Sequence, residues 1–163
     1  MRKIALLLSI IIILAYCTLL SGCHSKSDQN ESNTAKEITL TKDNFKNYFT
    51  IEVDSNVTTT KHGDSYVLGV YVPATYSAVA DVNVNVFSNV PIDSYNVKVT
   101  LEIKTGYVYW NTKTVTLNIS SNGSASKKLT ITTSDAQTIF FESDCNRNFY
   151  ASIVSVEGTI REH

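Results

Sequence analysis

Val82, Val84 and Val86 are separated by Asn83 and Asn85, and Val99, Leu101 and Ile103 are separated by Thr100 and Glu102. That period of two constrains the fold more than any other feature of the chain. Successive side chains of an extended strand point to opposite faces, so each run carries one apolar and one polar face and must lay the apolar one on a core. Val, Thr, Ile and Tyr dominate the rest of the chain beyond Glu52, proline is confined to Pro73 and Pro91, and no long amphipathic helix is present. Such a composition suits pleated, half-buried strands.

Residues that face each other across a hairpin must share a sheet face, so parity tests each pairing. Val53 and Val57 are odd-numbered while Tyr66, Leu68, Val70 and Val72 are even. A two-residue turn at His62-Gly63 would join them, with Val57 opposite Leu68 and Val53 opposite Val72. A reversal around Pro91 to Ser94 would set Val82, Val84 and Val86 against Ile103, Leu101 and Val99. Asn122-Gly123 invites a two-residue turn, but that register places Leu117 opposite Lys128. A three-residue loop, Asn122 to Ser124, pairs Leu117 with Leu129 and Val115 with Ile131, and a longer loop or bulge is therefore expected. A last strand is expected over roughly 148–161, carrying Phe149, Tyr150, Ile153, Val154, Val156 and Ile160. Seven or eight strands over about 125 residues point to an antiparallel β-sandwich. It resembles immunoglobulin and fibronectin domains in architecture, without a Cys…Trp…Cys spacing.

Ahead of the strands, Glu37-Ile38-Thr39-Leu40-Thr41 alternates, and Phe45, Tyr48 and Phe49 then fall at helical spacing behind Thr41. One short strand and one helical turn capped by Thr41 fit this pattern. The run from Glu37 to Glu52 is similar to a segment of exported proteins of low-GC Gram-positive bacteria, a likeness that carries no activity.

The N-terminus reads as an address. Arg2 and Lys3 precede the apolar block Ile4 to Ala15, the order of an export signal. A permanent membrane helix would need about 20 apolar residues, and Tyr16, Cys17 and Thr18 dilute the run before that length is reached. Leu20-Ser21-Gly22-Cys23 follows, and it resembles the lipobox of bacterial lipoproteins. The resemblance implies that residues 1–22 are a signal peptide cut between Gly22 and Cys23. Leu20, Ser21 and Gly22 would be read by the peptidase, and Cys23 would carry a diacylglycerol. Two or more acyl chains anchor a protein stably at about 0.8 kcal/mol per buried methylene. Residues 23–36 are polar and aperiodic. They read as a flexible tether that holds the domain, residues 37–163, roughly 20 Å from the headgroups of the outer face of the cytoplasmic membrane.

Charge narrows the partners. With 14 basic and 15 acidic side chains the chain has a net charge of −1, which excludes a nucleic-acid binder by bulk charge. Loss of Arg2 and Lys3 lowers the basic count from 14 to 12 and the net charge to −3. Cys17 leaves with the signal and Cys23 is taken by lipid, so Cys145 stands alone and the domain has no internal disulfide. Without a neighbouring histidine Cys145 reads as a small buried filler.

Candidates for chemistry are few. His24, His62 and His163 share no metal-ligand spacing, and Asp54-Ser55-Asn56 and the run 144–148 read as solvated turns rather than calcium loops. Neither a metal nor a cofactor is expected. Tyr107, Tyr109 and Trp110 form the best ligand candidate. A two-residue turn at Thr105-Gly106 would pair Ile103 with Val108 and Leu101 with Trp110, sending Trp110 inward and both tyrosines outward as a platform for sugar rings. Exposed tyrosines also simply suit strands. That register requires a parity break over 111–113, because Val115, Leu117 and Ile119 are odd. No catalytic signature such as Gly-x-Ser-x-Gly occurs. The expectation is a lipid-anchored binding or interaction module at the cell surface, its partners the membrane through Cys23 and a cell-envelope protein or carbohydrate. The alternatives are an envelope-processing hydrolase and a small protease-inhibitor-like sandwich.

Overall fold

The structure is a computed structural model and describes residues 36–162. The expected signal peptide, Cys23, the tether up to residue 35 and His163 lie outside the described residues.

Two antiparallel sheets face each other. One has the order β1 (Lys36–Thr39), β9 (Tyr150–Glu162), β6 (Ile92–Lys104), β7 (Lys113–Ile119); the other has the order β2 (Phe49–His62), β5 (Thr75–Ser88), β8 (Ser124–Thr132). A separate hairpin of β3 (Ser65–Val67) and β4 (Val70–Val72) continues from the β2–β5 ribbon. The expected β-sandwich is therefore present. Its likeness to immunoglobulin-type domains lies in the two layers, while its first and last strands, β1 and β9, lie side by side.

The alternating residues do what their period demands. Ala80, Val82, Val84 and Val86 of one sheet, and Val97, Val99, Leu101 and Ile103 of the other, are all buried in a single core with Val115, Leu117, Ile119, Ile131 and Ile160. Their polar neighbours turn outward: Asp81 accepts a hydrogen bond from Thr130 and pairs with Lys128 on the open face. Such exposed pairs contribute little to stability.

Parity identified the buried faces of β5, β6 and β7 correctly, but it failed at 66–72, whose side chains are exposed, and it chose the wrong neighbours. Val53 lies opposite Val84 and Val57 opposite Ala80, so β2 pairs with β5 rather than with 66–72. The reason is local: Leu68 and Gly69 take φ of 52° and 80° and make their own two-residue turn, pairing Val67 with Val70. The β5–β6 pairing is likewise corrected. The chain reverses at 89–91 but crosses to the other sheet, so Val82, Val84 and Val86 meet Val99, Leu101 and Ile103 across the core instead of along a ladder. The third pairing fails in the same way, since Leu117 lies opposite Val99 and Leu129 opposite Val82. The expected three-residue hairpin loop, Asn122 to Ser124, is replaced by a four-residue connection, 120–123, and Ser124 already belongs to β8. The Ser120 amide donates to the Ser124 carbonyl, and the intervening turn carries the chain between sheets.

The helical turn is α1, Phe45–Tyr48. Thr41 and Asn44 exchange side-chain to backbone hydrogen bonds of 2.7 and 3.3 Å just before it, a reciprocal cap on its entry. Phe45 and Phe49 then stack with centroids 4.8 Å apart and plug the core.

The domain has two unlike ends. Lys36 lies opposite Glu162, which also lies opposite Ile92 at the start of β6; α1 and the 89–91 reversal are at this near end. The β2–β5 ladder runs fourteen pairs from Phe49–Ser88 to His62–Thr75, about 45 Å at about 3.3 Å per residue. Its far end carries the β3–β4 hairpin.

Candidate functional site

Three segments lie at the far end of the sandwich: the β3–β4 hairpin, the β6–β7 connection 105–112, and the long stretch 133–149 that precedes β9. The last of these crosses the open end of the core. The Tyr76 amide donates to the Ile139 carbonyl at 2.8 Å, Ile139, Cys145 and Phe149 are buried, and the chain between Ile139 and Phe149 thereby caps the sandwich.

The 105–112 connection departs from the expected two-residue turn. Leu101 lies opposite Val115 and Ile103 opposite Lys113, so eight residues link the strands. Thr105 accounts for the first bend, because its hydroxyl donates to the Tyr107 carbonyl and accepts from the Tyr107 amide. The rest is stitched to the opposite sheet. The Asn111 amide donates to the Thr132 carbonyl at 3.1 Å and the Ser134 amide to the Tyr109 carbonyl at 2.7 Å. The parity break at 111–113 is where this crossing returns to β7.

The three aromatic candidates are separated by depth. Trp110 is buried and stands edge-on to Phe149, with centroids 5.0 Å apart at 82°. Its indole N–H has no partner among the described residues. Tyr109 is half-buried against the core, and Tyr107 is 48% exposed. A flat two-tyrosine platform is not what this geometry presents. One face of Tyr107 is covered by the Arg147 guanidinium, 3.9 Å from the ring centroid, a cation–π contact. The same guanidinium pairs with Asp144 Oδ1 at 3.1 Å and donates to the Asn146 carbonyl.

Cys145 lies inside this cap. Burial pushes its thiol up, and the Asp144 and Glu142 carboxylates push it further in the same direction. A thiol is nucleophilic only as its thiolate, so the surroundings oppose reactivity. We expect Cys145 to resist iodoacetamide at pH 8 in the folded chain and to react within minutes in guanidinium. The mass of the peptide carrying Cys145 reads this out, and equal labelling in both conditions would show an accessible thiol.

Sequence reasoning missed the most distinctive property of this end. Tyr66, Val67, Leu68, Val70, Tyr71, Val72, Tyr107, Val108, Phe140, Phe141 and Tyr150 are all exposed, and of the large exposed apolar side chains among the described residues only Val79 and Val154 lie elsewhere. The signal was available in the run Tyr66 to Val72, where apolar residues occupy odd and even positions alike. Without alternation, both faces of the ribbon are apolar. Arg147 and the Phe140–Phe141 pair had no local signature, because their neighbours at this end come from distant parts of the chain. Among the described residues no group of three potential metal ligands converges.

The chain matches no protein-family model, no curated protein and no solved structure.

Proposed function

We propose that the protein is an extracytoplasmic lipoprotein, joined to the outer face of the cytoplasmic membrane through Cys23, whose sandwich is an interaction module at the cell surface. The observation that carries this reading is the polarity of the domain. The chain enters at Lys36 on the near end, and the exposed aromatic and aliphatic side chains gather on the far end. Contiguous exposed apolar surface on a monomer marks an interaction site. Exposed Tyr and Phe, with Arg147 nearby, are the residue types that such contacts favour. The mechanism is local concentration: lipid holds the protein, the tether gives reach, and the far end meets a cell-envelope protein or carbohydrate.

Two measurements test it. Labelled fatty acid fed to cells should enter the wild-type protein and be lost in Cys23→Ala, which remains an uncut precursor; continued labelling would refute the anchor. A photoreactive benzoylphenylalanine placed at Phe141 should give discrete adducts with an envelope component on living cells, and the same group at Asn122 should give none. Equal patterns at the two positions would remove the far end as the working face.

A further inference from the structure

The β3–β4 hairpin sets its contents against water in three ways. Tyr66 pairs with Tyr71, their rings 5.4 Å apart, and Val67 pairs with Val70. Adjacent pairs point to opposite faces of a two-stranded ribbon, so this one is apolar on both. A hairpin that docks on a flat protein surface needs only one such face. At the apex Leu68 is 100% exposed and holds φ of 52°. Gly, Asn and Asp favour that turn position, and a polar residue there would be both less strained and better solvated. From Ser65 to Thr75 no side chain is charged; the nearest charges are Lys61 and Asp64 at the base, where the Tyr71 hydroxyl donates to Asp64 at 3.4 Å.

We infer that this hairpin is a lipid-contacting element, which dips into the outer leaflet of the membrane that carries Cys23. The inference rests on the anchored reading above and adds a second contact to it. A bilayer surrounds an inserted ribbon and so accommodates both apolar faces at once. Three residue pairs span about 10 Å, which matches the depth of about 5–10 Å reached by interfacial elements. Tyrosine is the side chain enriched at the headgroup level, with its ring in the apolar zone and its hydroxyl wet. The outer edges of the ribbon have unpaired backbone groups, which confines it to the hydrated interface and keeps it out of the hydrocarbon centre. Reach is sufficient. The chain from Cys23 to Lys36 can extend to about 45 Å, and the apex at Leu68 lies about 20 Å beyond the far end of the β2–β5 ladder, so the domain brings its tip to the lipid by lying over on its side. With a net charge of −3 after loss of Arg2 and Lys3, the contact is driven by apolar burial and should depend little on salt.

The test uses the full lipidated protein carrying Leu68→Trp, reconstituted in phosphatidylcholine–phosphatidylglycerol vesicles that contain acyl-chain-brominated phosphatidylcholine. Buried Trp110 gives the constant background, measured on the unsubstituted protein. Emission from the introduced indole should be blue-shifted and quenched at least twofold relative to non-brominated vesicles. In parallel, chymotrypsin should cut at Tyr66 and Tyr71 about tenfold more slowly in vesicles than in detergent. Leu68→Asn should lose that protection while its melting temperature stays the same or rises. Absence of quenching in protein that floats with the vesicles overturns the inference and leaves the anchor standing. If the protein does not float, the anchor fails, and quenching on mixing protein with vesicles then decides the hairpin alone. A discrete protein crosslinked from position 68 on cells, without lipid quenching, would make a protein groove the occupant instead.

Discussion

Gly158→Ala should unfold most of the domain at moderate denaturant. Gly158 sits within β9, opposite Val97 of β6, with φ of 118°. A Cβ at this position would lie 1.7 Å from the Asn96 carbonyl oxygen. Neither term can be relieved cheaply. The conformation is one that residues with a side chain rarely adopt, and the obstacle is backbone in a strand that is held on its other side by β7. The Gly158 carbonyl also accepts from the Leu40 amide at 3.0 Å, so a shift of β9 would disturb β1 as well. We expect a loss of about 4 kcal/mol or more, a large part of the roughly 5–15 kcal/mol available to a domain. Urea unfolding should show it as a midpoint lowered by about 2 M. A variant that melts within about 0.3 M of wild type would show that β9 does not make this close approach.

Trp110→Ala should be the second most damaging change, at about 3–5 kcal/mol. Trp110 is buried, is edge-on to Phe149, and fills the space beneath the crossing chain of 109–111 and 132–134. Trp110→Phe separates packing from hydrogen bonding. The indole N–H has no partner among the described residues, so phenylalanine forfeits volume but no hydrogen bond, and its cost should stay near 1–2 kcal/mol. Equal losses in the two variants, measured by calorimetry, would reveal a hydrogen bond worth more than the ring. Tyr107→Ala removes the half-exposed ring that Arg147 covers and should cost about 0.5–1 kcal/mol.

These contrasts follow from depth, and depth was partly legible. Trp110 is buried and Tyr107 exposed, as the expected register has them, but by another route: the two-residue turn is replaced by eight residues, and Trp110 bridges Thr133 instead of facing Leu101. Tyr109, expected to point outward, is half-buried instead, where the Ser134 amide just past the end of β8 reaches its carbonyl. The cover over Tyr107 was equally hidden: Arg147 is forty residues further along, and nothing local links the two. Cys145 as a buried filler could be read from its lack of a histidine neighbour, and the structure supplies the burial.

The sequence by itself determined the layers. A period of two at Val82 to Val86 and at Val99 to Ile103 states which side chains must be dry, and β-branched composition with no long amphipathic run states that strands will supply them. It also carried the lipobox-like Leu20-Ser21-Gly22-Cys23, whose meaning depends on order along the chain rather than on contacts. Only the tertiary structure decided which strands are neighbours. Parity is conserved whether two apolar faces meet along one ladder or across a core, so β5 with β6, and β7 with β8, satisfy the pattern in either arrangement; a single sheet would leave its apolar face in water, and two stacked sheets bury both. The same freedom placed the hairpin, Tyr107 and Phe140–Phe141 on one end of the domain. Each came from a segment too short to indicate its neighbours, and their shared exposure exists only once the strands are ordered.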